Sequence, residues 1–593
     1  MDIDGSERLP RIPMVDVGVG DYISEQPSTR FPVYTRGNAG EVWPEVVYPL
    51  SIGLARGDRP DPYSKPLLET GLVTDDDVAD GITTMGGVFG GYMYLNLSIN
   101  RVMAIRTIGG TIDDSDAIFL GSRSVAPPHR PHPDDTDRSA SLRGARYGIR
   151  ILRETEVPHL LDDRAFVGRW QERLPALLDG PTDGLVAALR ELVDPTLDMF
   201  SRHVEVTGKA GVSLQLLTTI CDKQLGDRSI ALTLLAGLGE IDSAAPSFDL
   251  WRLGRLVATD RAVTAQFDRG LDGLARRLAD DPDAAAFNLA LGEFRHQYAS
   301  RGPNEWETAS ETWGTDATLP LALIDRMRLA DADHDPARKR SEGAAARLAA
   351  AESARTRLRW PMRWLFDRAL RAARLFSPAR ERSKTIIVDL IHVSRLITRE
   401  VGRRCADRVG GGDMNDVWFV FPDELDAYVA DPGAFTDVIA RRRSVRDELS
   451  RREPPFVFDG ELPPADSWPL RDAVFRGDHL RAGEHIVGLG GCSGVAEGIA
   501  RIVTDPSEPG DLGPGDVLVA PLTDPAWTPL FVPVEAIVVD VGGQMSHAVI
   551  VSRELGRPCV VAAMGATKRI RDGARIRVDG GTGTVTVLDV GDR

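Results

Sequence analysis

Cysteine is scarce in this sequence. The four present, Cys221, Cys405, Cys492 and Cys559, are scattered and form no CxxC pair. That spacing argues against a disulfide framework or a zinc site, and a reducing, cytoplasmic setting fits better. No stretch approaches the roughly 20 apolar residues of a membrane span, so none is expected. The opening MDIDGSERLP lacks a basic start followed by an apolar run and does not read as a signal peptide. Positive charge is also short: 71 Lys and Arg face 88 Asp and Glu, a net charge of −17. That argues against a nucleic-acid partner, which wants a basic face. It leaves phosphate ligands open, since a few local donors suffice. The 593 residues, 42% hydrophobic and 27% charged, are enough for two to four globular domains with buried cores.

Residues 1–30 are polar, spotted with Pro and Gly, and read as an N-terminal arm. Residues 31–452 read as a large, mainly α-helical domain. The stretches 184–206, 251–279 and 384–409 carry apolar residues at helical spacing. Within it, 342–359 reads as a strong helix. It runs into the basic, aromatic, amphipathic WPMRWLFDRALRAARLF (360–376). That segment reads either as a membrane-surface or partner helix, or as a helix folding its arginines around an apolar face inside the domain. The second is the default. Residues 453–484, with Pro454, Pro455, Pro463, Pro464 and Pro469, read as a linker. Residues 485–593 change texture to short Val/Ile strands with Gly and Asp turns, a compact β/α domain.

Near the C-terminus the run VDVGGQMSHAVIVSRELGRPCVV (539–561) sets a strand, a Gly542-Gly543 turn, then Ser546 and His547 at the start of a helix over 548–555 that Gly556 and Pro558 stop. Free amides at a helix start favour an anion. A neutral imidazole there is able to act as a nucleophile and carry a phosphoryl group. The bland alternative is a surface or capping histidine.

This run resembles the phosphohistidine swivelling (mobile) domain of the PEP-utilising enzymes, whose pattern reads GG-x-x-(S/T/C)-H-(A/G)-A-I-V-A-R-E-x-G-I-P-x-V. GLGGCSGVAEGIARIV (488–503) and GDVLVAPLTDPAWTPLF (515–531) upstream, and VDGGTGTV (578–585) downstream, extend the likeness. The fold it implies is a β/β/α-type phosphohistidine domain following the helical one. Three further segments resemble the substrate-binding domain of the rifampicin phosphotransferase group: TRGNAGEVWPEVVYPLS (35–51), FRHQYASRGPNEWETASETW (294–313), and the RE-x-x-K helix with its exit (380–404 and 415–425).

The resemblance implies that His547 is the phosphoryl carrier and that Ser546, Gly542 and Gly543 form the phosphate loop. Arg553 either stabilises charge or pairs with Glu554 on the helix surface. Thr523 and Asp524 either approach the histidine loop or, by preference, shape a turn before Pro525. Arg301, Gly302 and Glu305 are substrate-binding candidates, as an arginine for phosphate, a glycine for close approach and a carboxylate to orient a hydroxyl. Arg301 and Glu305 otherwise form a structural ion pair. Arg36 and Glu41 are weaker candidates. Arg380, Glu381 and Lys384 read by default as a surface salt-bridge cluster near a helix start. The family's histidine before Arg-Gly is Ser300 here, with His296 four residues earlier as a speculative substitute. The regulated threonine of the dikinases is Met545.

Members of the family usually carry an ATP-grasp domain, and neither that domain nor a GxxxxGK[ST] loop is read here. The expectation is therefore a phosphotransferase component. A separate ATP-grasp subunit, bearing ATP and Mg²⁺, would charge His547. The phosphate would then pass to a small hydroxyl acceptor in the helical domain. No metal or cofactor is expected on this chain. The alternative is a non-catalytic ligand-binding or regulatory protein derived from such an enzyme.

Overall fold

The computed structural model describes residues 13–56, 64–78, 85–120, 126–239, 241–471, 479–506, 508–543 and 546–590. Met545 and residues 1–12 of the expected arm lie outside them.

Two long helices, α1 (Thr182–Ile220) and α2 (Met362–Arg408), form the spine of the large domain. Leu189, Leu192, Val193 and Leu197 of α1 interlock with Ile386, Leu390, Val393 and Ile397 of α2 in one core. Both display the three- and four-residue apolar spacing from which they are predicted. The 251–279 stretch is broken into the helices Ala245–Thr259, Arg261–Phe267 and Leu274–Asp280. Asp260 accepts from the amides of Ala262 and Val263 and so starts the second of these.

The mainly helical region over 31–452 also contains a four-stranded antiparallel sheet that the sequence reading did not place. Strands β1 (Met14–Asp16) and β2 (Asp21–Ile23) make a separate hairpin. The sheet itself consists of β3 (Val33–Thr35), β4 (Gly86–Phe89), β5 (Tyr92–Asn96) and β6 (Val457–Asp459), in the order β4-β5-β3-β6. The missed signal is GGVFGGYMYLN. Gly90 and Gly91 adopt φ of 56° and 79° between two β-rich runs, the geometry of a tight hairpin turn. Two boundaries change with it. Tyr22 and Ile23, in the expected arm, are fully buried. The Pro-rich segment is no open linker at its start, because β6 pairs with β3 and Trp468 is buried beside Tyr92. Proline there ends strands without preventing an edge strand from pairing.

The C-terminal domain is one eight-stranded sheet. Strands β7 (His485–Val487), β8 (Leu489–Cys492), β9 (Val495–Ile502), β10 (Asp516–Ala520), β11 (Ala536–Val539), β12 (Cys559–Val561), β13 (Arg575–Asp579) and β14 (Thr584–Asp589) lie in the order β7-β14-β13-β9-β10-β11-β12-β8. The central four, β9 to β12, run parallel. Parallel strands covered on both faces carry continuous apolar runs, which is why DVLVA and AIVV do not alternate. Leu518, Ala520, Ile537 and Val539 face one core, and Val517, Val519, Ala536 and Val538 the other. The first of these cores includes Trp251, Phe294 and Trp313 of the large domain, so the C-terminal domain is seated on the helices.

Candidate functional site

Strand β11 ends at Val539, Gly542 turns the chain, and helix α3 (His547–Leu555) begins at His547. The site therefore sits at the carboxyl end of the parallel strands, where open α/β sheets place ligands. Gly542 adopts φ of 154°, and a Cβ there would lie 3.1 Å from Ser546 Oγ and from Val561. Gly543 abuts the carbonyl of Ile118 from the large domain, 3.0 Å from where its Cβ would stand. Gly556, at φ 62°, caps the far end of the helix as expected. Ser546 is the N-cap, yet its buried Oγ has no hydrogen-bond partner among the described residues. The amides of the first helical turn have no intrahelical acceptor. The unpartnered Oγ and these amides thus lie at the helix start that bears the imidazole.

His547 is only 8% exposed. Its Nε2 lies 2.8 Å from Thr528 Oγ1 and its Nδ1 3.4 Å from Thr523 Oγ1, while Phe531 stands 6.0 Å from the ring. Burial, and then the positive charges of Lys384, Arg301 and Arg380, hold its pKa well below the ordinary histidine value. The ring is therefore neutral, with a nitrogen lone pair available at physiological pH.

Those three cations come from the large domain. Lys384 Nζ lies 3.2 Å from Glu305 Oε1, and Arg380 Nη1 lies 2.6 Å from Glu381. Both stand in the middle of α2, partly buried, so they are no surface cluster at a helix start. Arg301 is 2% exposed, pairs with Glu305 at 3.1 Å and donates to Thr385 Oγ1 at 2.6 Å. Burial opposes its charge, but Glu305 and Asp389 outweigh burial and raise its pKa. The ion-pair alternative for Arg301 and Glu305 is thus present, and the Arg301 charge contributes to lowering the His547 pKa. Gly302 serves the chain itself: a Cβ would stand 2.8 Å from the Glu311 carbonyl, so the close approach is to 311–312.

Asp524 accepts the Ala526 amide at 2.8 Å, which shapes the turn, and also the Asn304 amide at 2.9 Å across the domain boundary. Burial raises it to about 6. Thr523 touches the histidine. Ser300 donates to Asp389 at 2.6 Å, and His296 is exposed on its helix. Arg553 is buried elsewhere, donating to the Gly491 carbonyl at 3.0 Å. It does not pair with Glu554. That carboxylate instead accepts the amides of Leu238 and Gly239 at 2.8 and 3.1 Å, latching α3 to the large domain. Arg36 donates to the carbonyls of Trp43 and Pro44 and lies over the Tyr92 ring, a structural role away from the histidine.

Glu41 is half-buried, and its carboxylate makes no hydrogen bond or ion pair among the described residues. Burial raises it to about 7, against the opposing charges of Arg380 and Lys384. Beside it, Trp43 lies 5.6 Å from Trp306, which lies 5.7 Å from Phe200 and 6.1 Å from His203. His203 Nδ1 lies 2.8 Å from Ser383 Oγ, and burial lowers its pKa to about 3. Thr528, Asn304, His203 and this aromatic wall were missed in sequence reading. The signal for Thr528 was its place in the DPAWTPL segment.

Among the described residues no group of three or more His, Cys, Asp or Glu could hold a metal ion. No described helix is long and apolar enough to cross a membrane.

The site is thus a buried histidine at a glycine turn and helix start, its proton affinity lowered by burial and by cations of the large domain. Residues 512–583 match the family model for the PEP-utilising enzyme mobile domain, and residues 202–381 that for the rifampicin phosphotransferase fourth domain. Two separate stretches of the chain thus match domains of these enzymes. It is 40% identical over 222 residues to an uncharacterized protein of Mycobacterium tuberculosis, covering 37% of this chain and 24% of that protein. It is 34% identical over 223 residues to the rifampicin phosphotransferase of Bacillus subtilis, covering 37% and 25%. With the rifampicin phosphotransferase of Streptomyces sviceus it shares 30% over 337 residues, covering 54% and 36%. The matched stretches therefore span between 24% and 36% of these relatives' own length.

Proposed function

We propose that His547 carries a phosphoryl group to a hydroxyl-bearing acceptor held against the helical domain. The observation that carries this reading is the buried His547 ring, whose pKa burial and the charges of Lys384, Arg301 and Arg380 hold well below the ordinary value. In the first half-reaction an imidazole nitrogen attacks phosphorus. The N–P bond forms, and the donor's P–O bond breaks with its electron pair leaving on the donor. The donor in this reading is ATP with Mg²⁺ on a separate ATP-grasp subunit. In the second half-reaction the acceptor oxygen attacks phosphorus, and the N–P pair returns to the ring. Lys384, Arg380 and Arg301 stabilise the charge on the transferring oxygens. Ser546 and the amides after it hold those oxygens in the loop. Thr528 now occupies the Nε2 side, so loading there requires the ring to part from it.

In this reading Glu41 takes the acceptor's proton, which its raised pKa near the charges of Arg380 and Lys384 supports, with Trp43, Phe200 and Trp306 as the nearby aromatic wall. The experiment loads the full chain at His547 with potassium phosphoramidate. The phosphorylated chain is then chased with small-molecule extract of its own cells. Wild type is expected to take up phosphate and pass it to an extract component, whereas His547→Ala takes up none at that site. Because Glu41 must be ionised to accept a proton, the chase rate is expected to rise with pH and level off above about 7. In Glu41→Gln it is about 10²-fold slower and flat through that range, with loading unchanged. Loading without any transfer from wild type would contradict the acceptor half of this reading.

A further inference from the structure

The segment 360–376 buries Phe366, Leu370, Ala373 and Phe376 inside the large domain, as the default reading has it, while Trp360 and Trp364 at its start are exposed. Helix α2 starts at Met362, following the helix Pro336–Arg357, and the two form a hairpin. At its tip Trp360 is 82% and Trp364 54% exposed. Arg359 and Arg363 are exposed beside them and make no side-chain hydrogen bond or ion pair among the described residues. The Arg368 guanidinium lies 5.5 Å from the centre of the Trp364 ring. Over residues 355–374 seven arginines meet one acid, Asp367, in a chain whose net charge is −17. Arg355 is spent on Asp367 at 2.8 Å, Arg357 on the Leu225 carbonyl, and Arg371 on the Leu152 carbonyl. The contact with Leu225 also brings the end of α1 near, with Asp222 and Asp227 offset by Lys223 and Arg228. The tip itself is locally positive and aromatic.

We propose that this hairpin tip docks on an anionic phospholipid surface. Indole rings favour the water–hydrocarbon boundary, where one edge is apolar and the other wet. Arginines beside them reach the headgroup phosphates with long side chains. Charge complementarity selects an anionic surface, because this tip is positive and carries its two exposed indoles beside the arginines, in a chain whose net charge is −17. Two indoles cover far less than the roughly 800 Å² per partner of a stable protein interface, which disfavours an acidic protein as the occupant. Lys384 lies 24 residues along α2 from Trp360, about 36 Å at 1.5 Å per residue. Docking there leaves the histidine site clear.

The test is sedimentation of the full chain with vesicles of phosphatidylserine and phosphatidylcholine at low salt, alongside vesicles of phosphatidylcholine alone. Binding to the first and not the second is expected. It should weaken about fivefold for each arginine removed in Arg359→Gln and Arg363→Gln, and be lost in the Trp360→Ser/Trp364→Ser double variant. Circular dichroism and labelling of His547 should be unchanged in all of them, since the altered side chains are exposed. Three results would overturn the proposal. They are no sedimentation of wild type with either vesicle, binding that survives the double tryptophan change, and loss of vesicle binding to competition by a co-purifying acidic protein at the same residues.

Discussion

Replacing Lys384 with methionine is expected to slow phosphoryl transfer through His547 by about 10²–10³-fold, the usual result of removing one preorganised charge donor from a transferring oxyanion. Lys384 is the first of the three cations that bear on the imidazole after burial itself, and it is anchored 3.2 Å from Glu305. Methionine preserves the aliphatic stem along α2 and removes only the charge. Glu305 keeps Arg301 at 3.1 Å, so the fold should persist. The measurement is the single-turnover rate of phosphate loss from the loaded chain. Lys384→Arg should recover part of the rate, since charge returns with different geometry. Unchanged transfer in Lys384→Met would remove the cationic face from the account.

Gly580→Val is expected to destroy the C-terminal domain's packing rather than its chemistry. A Cβ on Gly580 would stand 1.9 Å from the Cys492 carbonyl oxygen and 2.8 Å from the Cys559 amide. Both neighbours are backbone atoms, of the paired strands β8 and β12, so nothing flexible can yield. The strands must part, at a cost of about 3 kcal/mol or more. Thermal unfolding should show an early transition confined to this domain, with loss of His547 labelling. Gly581→Ser is the control, because its Cβ would meet only the Asp579 side chain at 3.3 Å. It should unfold close to wild type.

The histidine loop was legible because its signals are local. A β-rich run, two glycines, a histidine and an apolar helix closed by Gly556 lie within some twenty consecutive residues. The spine helices were legible for the same reason, through their periodicity. What escaped reading depends on chain-distant contacts. Thr528 meets His547 only because the loop after β10 folds over the end of β11. Lys384 and Arg380 resemble an ordinary charged helix face until the C-terminal domain is seated against them. Glu554 looks like a partner for Arg553, but two backbone amides of the large domain claim its carboxylate. The small sheet was hidden because its strands are three to five residues long and one of them, β6, comes from the Pro-rich stretch. The apolar face of 360–376 packs inward as its spacing implies, but the exposure of Trp360 and Trp364 was not legible, because spacing tells which residues share a face and not where the helix leaves the core.

The central claim is that His547 carries phosphate. It is tested most directly by purifying the protein from its own cells at mildly alkaline pH, where phosphohistidine survives, and weighing the peptide that contains His547. The account predicts one phosphoryl group on that histidine in wild type and none in His547→Ala. A His547 that stays unmodified, even after incubation with ATP, Mg²⁺ and whole lysate, would contradict it and leave a binding or regulatory protein in its place.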